Sequence, residues 1–536
     1  SMSKKVTQNT EEKQDKVMTR YDRKMQEREA AKKKAEKEEK ISRITGIVIV
    51  AALFCLVASF PIRSYLTING TYMEVAGEKV SRVEFDYNYN LMKNNYLTQY
   101  SYYMSMFGID LSGDLSKQMY SDTLSWQDYF EQMAAENIAT NKALRDQAKA
   151  AGFTYDTSEE YAKYEETLKT AAEEAGMTEK AYIQQTYGTY ATASRLKGYI
   201  KEAMEISAFY DQVSEEKAPT EEEIQSYYEE NKDNYDSVDY RLVTVNAELP
   251  TEPTELADPV EETDSTGDTT STDTEDKAYE PSEAEIEFAM LQAHDKAEEA
   301  LATISTEGDL HENAKSSEVQ SLMREWLFDS ARKAGDSTII ENTSSNLYYV
   351  LEFEDRYLDQ TPTADARIII LNQDSTADAN ALLEDWKNGA ATEDSFAELA
   401  DNQGASAEGG LYEGLTSTSM DANLSAWLFD SARAAGDTTA IVGGEGENSY
   451  VVYYVGTNQP EWSQKIKSTL LSTTMSGYLD EISKDYPVED PKGNLNYLKV
   501  QAAESAAAES ASEESSASAE EASDSSDAST DGSTQE

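Results

Sequence analysis

Two histidines, His294 and His311, and one cysteine, Cys55, are all the imidazole and thiol in this chain. A Ser-His-Asp nucleophile would have to draw on one of those two histidines. Four-ligand zinc sites built from thiolate and imidazole need more such ligands than the chain holds, so sites of that kind are close to excluded. A lone cysteine excludes a disulfide within the chain. Ser194-Arg-Leu-Lys197 has the Ser-x-x-Lys spacing in which a lysine assists a serine nucleophile. The Ser-Asp-Asn and Lys-Thr-Gly elements that complete such sites are missing, so acyl transfer is not expected there. The acidic runs show no EF-hand spacing and read as solvating rather than calcium-binding. No catalytic residue, metal or cofactor is therefore assigned.

Charge narrows the partners. The chain has 536 residues, 39% of them hydrophobic, and a net charge of −57 from 46 basic and 103 acidic residues. Nucleic-acid affinity comes largely from neutralising phosphates with Lys and Arg, so nucleic acid is excluded as a partner. Cationic or unfolded polypeptides remain.

The charge is unevenly placed. Residues 1–43 hold 14 Lys/Arg and 9 Asp/Glu, a net of +5, which leaves −62 for the rest. Residues 44–62 form an uncharged apolar run between Arg43 and Arg63. At about 1.5 Å per residue this run reaches roughly 28 Å, close to the ~30 Å hydrocarbon core. It predicts a single membrane-spanning helix, with residues 1–43 cytoplasmic and the bulk of the chain extracytoplasmic. The long charged segment before it argues against a cleaved signal peptide.

The elements that would position a site follow. Tyr72-Met-Glu-Val-Ala76 reads as a short strand, and a polar-aromatic helix starts near Arg82. Further helices are predicted over 126–151, 158–175, 179–187 and 190–215, with Gly152 and Gly176 as stops. Thr220-Glu-Glu-Glu223 is a capping box, followed by Ile224, Tyr227 and Tyr228 on one face. Residues 240–245 read as a strand. Residues 248–285, rich in Glu, Asp, Thr and Pro, predict a disordered insertion. Ser282-Glu-Ala-Glu285 is a second capping box, opening a helix through Ile286, Met290 and Ala297.

An internal repeat comes next. Trp326-Leu-Phe-Asp-Ser-Ala-Arg-Lys-Ala-Gly-Asp336 recurs, with one change, as Trp427-Leu-Phe-Asp-Ser-Ala-Arg-Ala-Ala-Gly-Asp437. A Tyr/Val-rich strand follows each copy. The pattern predicts a small α+β domain used twice. A helix over 461–484 follows, and no base occurs beyond Lys499, so the end reads as a disordered acidic tail.

Tyrosine is abundant, 34 against 12 Phe. Tyr87, Tyr89, Tyr96, Tyr100, Tyr102, Tyr103, Tyr120 and Tyr129 are concentrated in one stretch. They suit either a surface for unfolded segments or a half-wet helical core.

Pro219-Thr-Glu-Glu-Glu-Ile224, Tyr227-Tyr228-Glu-Glu-Asn231 and Val238-Asp-Tyr-Arg241 together resemble a junction in the PrsA/SurA-type extracytoplasmic foldases. There a helical chaperone domain joins a parvulin domain. Ala366-Arg367, the run from Asp394 to Ala400, Gly409-Gly410-Leu411, and Met420 with Leu424 and Phe429 extend the resemblance in the family's order. It covers roughly residues 66–485. It implies peptidyl-prolyl isomerase domains, unfolded or secreted polypeptides as partners, and Met420, Leu424 and Phe429 as substrate-binding residues of a proline pocket. At this spacing such side chains more often belong to an ordinary core.

The chain departs from the family at the polar floor, where two histidines and a nearby Cys or Asp are implied. The first histidine position is Ile368, and Leu242 in the first repeat. The second falls in the Tyr450-Val-Val-Tyr453 strand. Asp401, Asn402 and Gln403 lie near the acidic position without matching it. Both histidines fall on predicted helices of the first repeat. Only 11 residues separate Ala314 from Trp326, which predicts a truncated, inactive first copy without the glycine loop and its flanking strands.

The expectation is an α+β multidomain protein. Its parts are a cytoplasmic segment 1–43, a transmembrane helix 44–62, a helical chaperone domain 63–237 and a degenerate parvulin-like domain 238–359. A second parvulin-like domain 360–460, a C-terminal helix 461–490 and a disordered tail 491–536 complete it. The function expected is a membrane-anchored foldase or chaperone whose isomerase activity is weak or lost. An active isomerase without histidines and a non-enzymatic envelope scaffold are the alternatives.

Overall fold

The computed structural model describes residue 65, residues 67–259 and residues 278–524. The expected cytoplasmic segment 1–43 and membrane helix 44–62 lie outside the described residues. Among those described, no helix is long and apolar enough to cross a membrane. Among the described residues the fold is therefore corrected to a multidomain arrangement of helices and three sheets, in which no helix is long and apolar enough to span a membrane. The long described helices carry charge: Trp126–Ala150, for example, has Glu131, Glu136, Lys142 and Arg145 along its length, which a hydrocarbon layer would not tolerate.

The chain divides into two compact units, one holding described residues up to Ala218 and from Leu471 onward, the other running from Pro219 to Leu470. In the first, strands β1 (Thr71–Val75) and β2 (Glu78–Ser81) form a tight hairpin. Ala76 and Gly77 both take positive φ at its turn, as a two-residue hairpin loop that follows the strand twist requires. Helix α1 (Arg82–Met106) starts at Ser81, whose side chain accepts the Glu84 N–H. Helix α2 (Trp126–Ala150) opens on a Ser125/Asp128 capping box. Phe130, Ala134 and Ile138, four residues apart, are buried along it. Helices α3 (Ser158–Glu174), α4 (Glu179–Tyr187) and α5 (Ala193–Glu216) complete this unit's predicted helices.

The tail is a second correction. A short strand, Val488–Glu489, adds to β1. Leu495 is fully buried with Met73, Val75, Val80 and Phe85, and Tyr497 joins the same core. Asn494 donates to the Tyr72 carbonyl at 2.8 Å. From these anchors a helix, Asn496–Asp524, continues. Its alanine-rich sequence propagates a helix once a docked end supplies the nucleus. Order thus extends well past residue 491; residues 525–536 lie outside the described residues.

In the second unit the Thr220/Glu223 capping box forms as its spacing predicts. It opens α6 (Glu221–Glu230), whose Ile224 and Tyr228 bury against Ile466. After the short helix α7 (Lys232–Tyr235) come β3 (Ser237–Asn246), α8 (Glu283–Glu307), β4 (Asp309–Lys315), α9 (Ser321–Leu327), β5 (Ser337–Asn342) and β6 (Leu347–Tyr357). The second repeat runs β7 (Pro362–Leu371), α10 (Ala379–Asn388), α11 (Glu393–Asn402), β8 (Leu411–Leu415), α12 (Ala422–Leu428), β9 (Thr438–Ile441) and β10 (Ser449–Pro460).

The sheet orders are β4-β3-β6-β5 and β8-β7-β10-β9, all neighbours antiparallel. The first repeat therefore keeps all four strands. Its β4 arrives directly after α8 and takes the edge that β8 takes in the second repeat. The truncation is confined to the middle: one helix, α8, stands where the second repeat has α10, α11 and the double-glycine turn. His311 is consequently in strand β4, opposite Tyr240, and not on a helix; His294 is on α8.

The insertion also differs from expectation at its ends. Residues 260–277 lie outside the described residues. On either side, Thr254 donates from its backbone and hydroxyl to Glu285 at 2.8 and 2.5 Å, and Tyr279 donates to the same carboxylate at 2.6 Å. Ser282 donates its hydroxyl to the Leu256 carbonyl at 2.8 Å. The second capping box thus closes the flanks of the insertion as well as starting α8.

Candidate functional site

In the second repeat the structure gathers Met420, Leu424 and Phe429 into one apolar cluster with Ala366, Ile368, Val452 and Tyr454. The repeat offset of 101 residues places Val319, Met323 and Phe328 at the same positions in the first repeat. Those three are all buried in its core. Met420 and Phe429, by contrast, are only partly buried. The same architecture is closed in one copy and more open in the other.

Neither histidine position of the resemblance carries an imidazole. Ile368 is buried and pairs with Val452 across the sheet. Leu242 pairs with Leu351 in the first repeat. Tyr450 borders the cluster, while Tyr453 packs on Phe396 and Trp386 in the core of the other face. His311 stacks on Tyr240 in the first repeat, ring centroids 4.9 Å apart.

Asp401 accepts the Gly409 N–H at 2.6 Å, so its carboxylate holds the double-glycine turn. Arg367 completes that support by donating to the Gly409 carbonyl at 2.9 Å while pairing with Glu393 at 3.0 Å. Gly409 sits at φ 57°, and a Cβ there would lie 2.5 Å from the Arg367 guanidinium. Sequence reasoning missed this role of Arg367. Its signal was present in the paired Tyr240-Arg241 and Ala366-Arg367, since Arg241 likewise donates to a glycine carbonyl, that of Gly308, at 3.1 Å.

The tyrosine-rich stretch divides into a core and a surface. Tyr87 is buried against Tyr187. Tyr89, Tyr96, Tyr100 and Tyr129 are partly buried around Trp126 and Phe130. At the same end of the helical unit five large side chains face outward: Tyr103, Met106, Phe107, Met119 and Tyr120. Phe107 is 80% exposed and both methionines 57%. Met106, Phe107 and Met119 were not legible as surface. The available hint was the apolar run stopping at Gly108, which takes positive φ after the helix.

The loop from Phe107 to Ser125 is tied down. Gln118 accepts the Asp110 N–H at 2.7 Å and donates to its carbonyl at 2.8 Å. Met119 bridges to Ser125, and Tyr120 stacks on Tyr129. Hydrogen bonds from the Ser112 hydroxyl and backbone hold the Asp110 carboxyl below the usual carboxylate range. Ser116 does the same for Asp114. Both remain charged at neutral pH.

Three further features stand apart from these clusters. A cavity of about 290 Å³ lies among α3, α4 and α5, floored by Leu168, Ile183, Leu196 and Ile200. His294, Asp295 and Glu298 bring their ligand atoms within 4.8 Å of one another on α8. The two acids are exposed and the histidine half-exposed, its ring edge-on to Tyr348 at 5.3 Å. Ser194 and Lys197 are both exposed near the start of α5, and Lys197 lies over the Tyr161 ring at 5.2 Å.

No protein-family model and no curated protein matches the chain. Among solved structures, the crystal structure of foldase protein PrsA from Streptococcus pneumoniae matches at 14% identity. The match covers 55% of this chain and 88% of that one, with a TM-score of 0.14. A likeness of that order fixes neither fold nor function.

Proposed function

We propose that this chain is a foldase-type chaperone that holds unfolded polypeptides through the outward-facing aromatic and methionine side chains of its helical unit. The observation that carries this reading is the exposure of Tyr103, Met106, Phe107, Met119 and Tyr120 at one end of that unit. A soluble surface seldom concentrates large apolar side chains without a partner for them. Methionine adapts its shape to varied apolar partners, and tyrosine adds area with a polar tip. Such a surface suits many sequences held weakly. The two repeats serve as accessory binding modules in this reading, with isomerase activity weak or lost at Ile368 and Val452.

The test is dilution of a chemically unfolded protein into buffer with and without the full chain, followed by light scattering. Suppressed aggregation is expected. Unchanged scattering at molar excess of the chain would rule the reading out.

A second reading, an isomerase that works without histidine, draws on the partial exposure of Met420 and Phe429 beside buried Leu424. A proline ring could be desolvated there without any covalent step.

A further inference from the structure

We infer that the aromatic end of the helical unit selects unfolded segments in which apolar residues alternate with Lys or Arg, in preference to neutral or acidic ones. This rests on the chaperone reading and names the substrate class of the same surface.

Charge complementarity identifies the occupant. The loop that carries Phe107, Met119 and Tyr120 also carries Asp110, Asp114 and Asp122, all exposed. Its one base, Lys117, already faces Asp114 at 3.5 Å. The apolar side chains are therefore set among unbalanced carboxylates. A lysine beside a bound Leu or Phe would meet a carboxylate or the face of an exposed ring, and both attract a cation. A glutamate in that place would meet only repulsion. The net charge of −57 acts in the same direction at longer range.

The loop is also built to bind without first being ordered. The paired Gln118–Asp110 hydrogen bonds, the Met119–Ser125 bridge and the Tyr120–Tyr129 stack fix it beforehand. A preorganised surface loses less freedom on binding, so a modest charge preference is expressed in the affinity.

The experiment uses the full chain and two short, unstructured, dye-labelled peptides. Both carry Leu and Phe at the same positions, with Lys between them in one and Glu in the other. Fluorescence anisotropy gives the affinities at low and high salt. The Lys peptide is expected to bind at least about tenfold more tightly at low salt, with the gap narrowing as salt screens the charges. Replacing Asp110, Asp114 and Asp122 together by Asn should close most of that gap, leaving only the weaker long-range pull of the net charge, since Asn can keep the turn hydrogen bonds. Met106→Ser with Phe107→Ser should weaken both.

Equal binding of the two peptides, with loss in the Met106/Phe107 variant, overturns the charge selection and leaves the chaperone reading standing. A Lys preference undiminished by the three Asn substitutions places the selecting surface elsewhere and overturns the inference. Binding of neither peptide overturns both. Thermal melts by circular dichroism check that each variant is folded.

Discussion

Tyr120 lies flat on Tyr129, ring centroids 3.9 Å apart and planes 13° apart. Tyr129 belongs to a capped helix, so the stack transfers the rigidity of α2 to an exposed turn. The Tyr120 backbone N–H, bonded to the Leu124 carbonyl at 2.9 Å, closes the same turn. The aromatic surface is thus held open by tyrosines that also form its floor.

Removing the upper ring separates these roles. Tyr120→Ala forfeits a stacked pair worth about 0.5–1.5 kcal/mol beyond its area. It should lower the melting temperature only slightly while clearly reducing suppression of client aggregation. Unimpaired suppression in a folded Tyr120→Ala protein would show that the turn does not contribute to binding.

The second repeat leads to a different expectation. The cis-to-trans rate of a short Xaa-Pro peptide should be unchanged by the full chain, because the cluster around Met420, Leu424 and Phe429 is lined by the hydrocarbon of Ile368 and Val452. Leu424→Ala should instead cost stability, about 2–5 kcal/mol for a buried leucine. An acceleration that disappears in Met420→Ala or Phe429→Ala would establish catalysis at this cluster and reverse the expectation.

The repeated motif carries its own prediction. Arg433 lies over Trp427 at 3.7 Å and donates to its carbonyl at 2.9 Å. Arg332 treats Trp326 alike, at 4.0 and 3.1 Å. The following aspartates, Asp336 and Asp437, accept from Phe353 and Tyr454 through none of their side chains; their backbone carbonyls do so, both at 2.8 Å. A planar guanidinium stacks and donates at once, which an ammonium does not. Arg332→Lys and Arg433→Lys should each cost about 1–2 kcal/mol. Denaturant melts measure it, and a neutral result in both would mean the stack is incidental.

Much of this was legible from spacing. Thr220 with Glu223 and Ser282 with Glu285 announced helix starts, because a cap is a local bargain between residues three apart. The repeat was visible because one motif meets the same packing problem twice. His311 departs from the predicted helix because Gly308 ends α8 and β3 supplies a partner strand from far away in sequence. The tail departs from the predicted disorder because Leu495 and Tyr497 are two residues whose burial depends on a sheet built from Thr71–Ser81, far away in sequence. The surface at Met106, Phe107 and Met119 was hidden for the opposite reason: apolar side chains look like core until the fold leaves them uncovered.

Glu285 provides a pH signature for the second unit. Burial pushes its carboxyl up, but hydrogen bonds from the Thr254 and Tyr279 hydroxyls and from the Ser282 and Thr254 backbone outweigh it, bringing the pKa from an ordinary 4.5 to about 2. A carboxylate with a depressed folded pKa binds fewer protons folded than unfolded below 4.5. Its contribution is therefore complete above that value and is lost as pH falls toward about 2. Glu285→Gln cannot accept from all four donors and carries no charge to titrate. Urea unfolding followed by tryptophan fluorescence reports mainly on this unit, which holds Trp326, Trp386, Trp427 and Trp462. The Glu285→Gln protein should be the less stable at neutral pH, and the gap to the parent should close as pH falls through the window between 4.5 and 2. A gap that stays constant across that window would mean the clasp does not depend on the charge of Glu285.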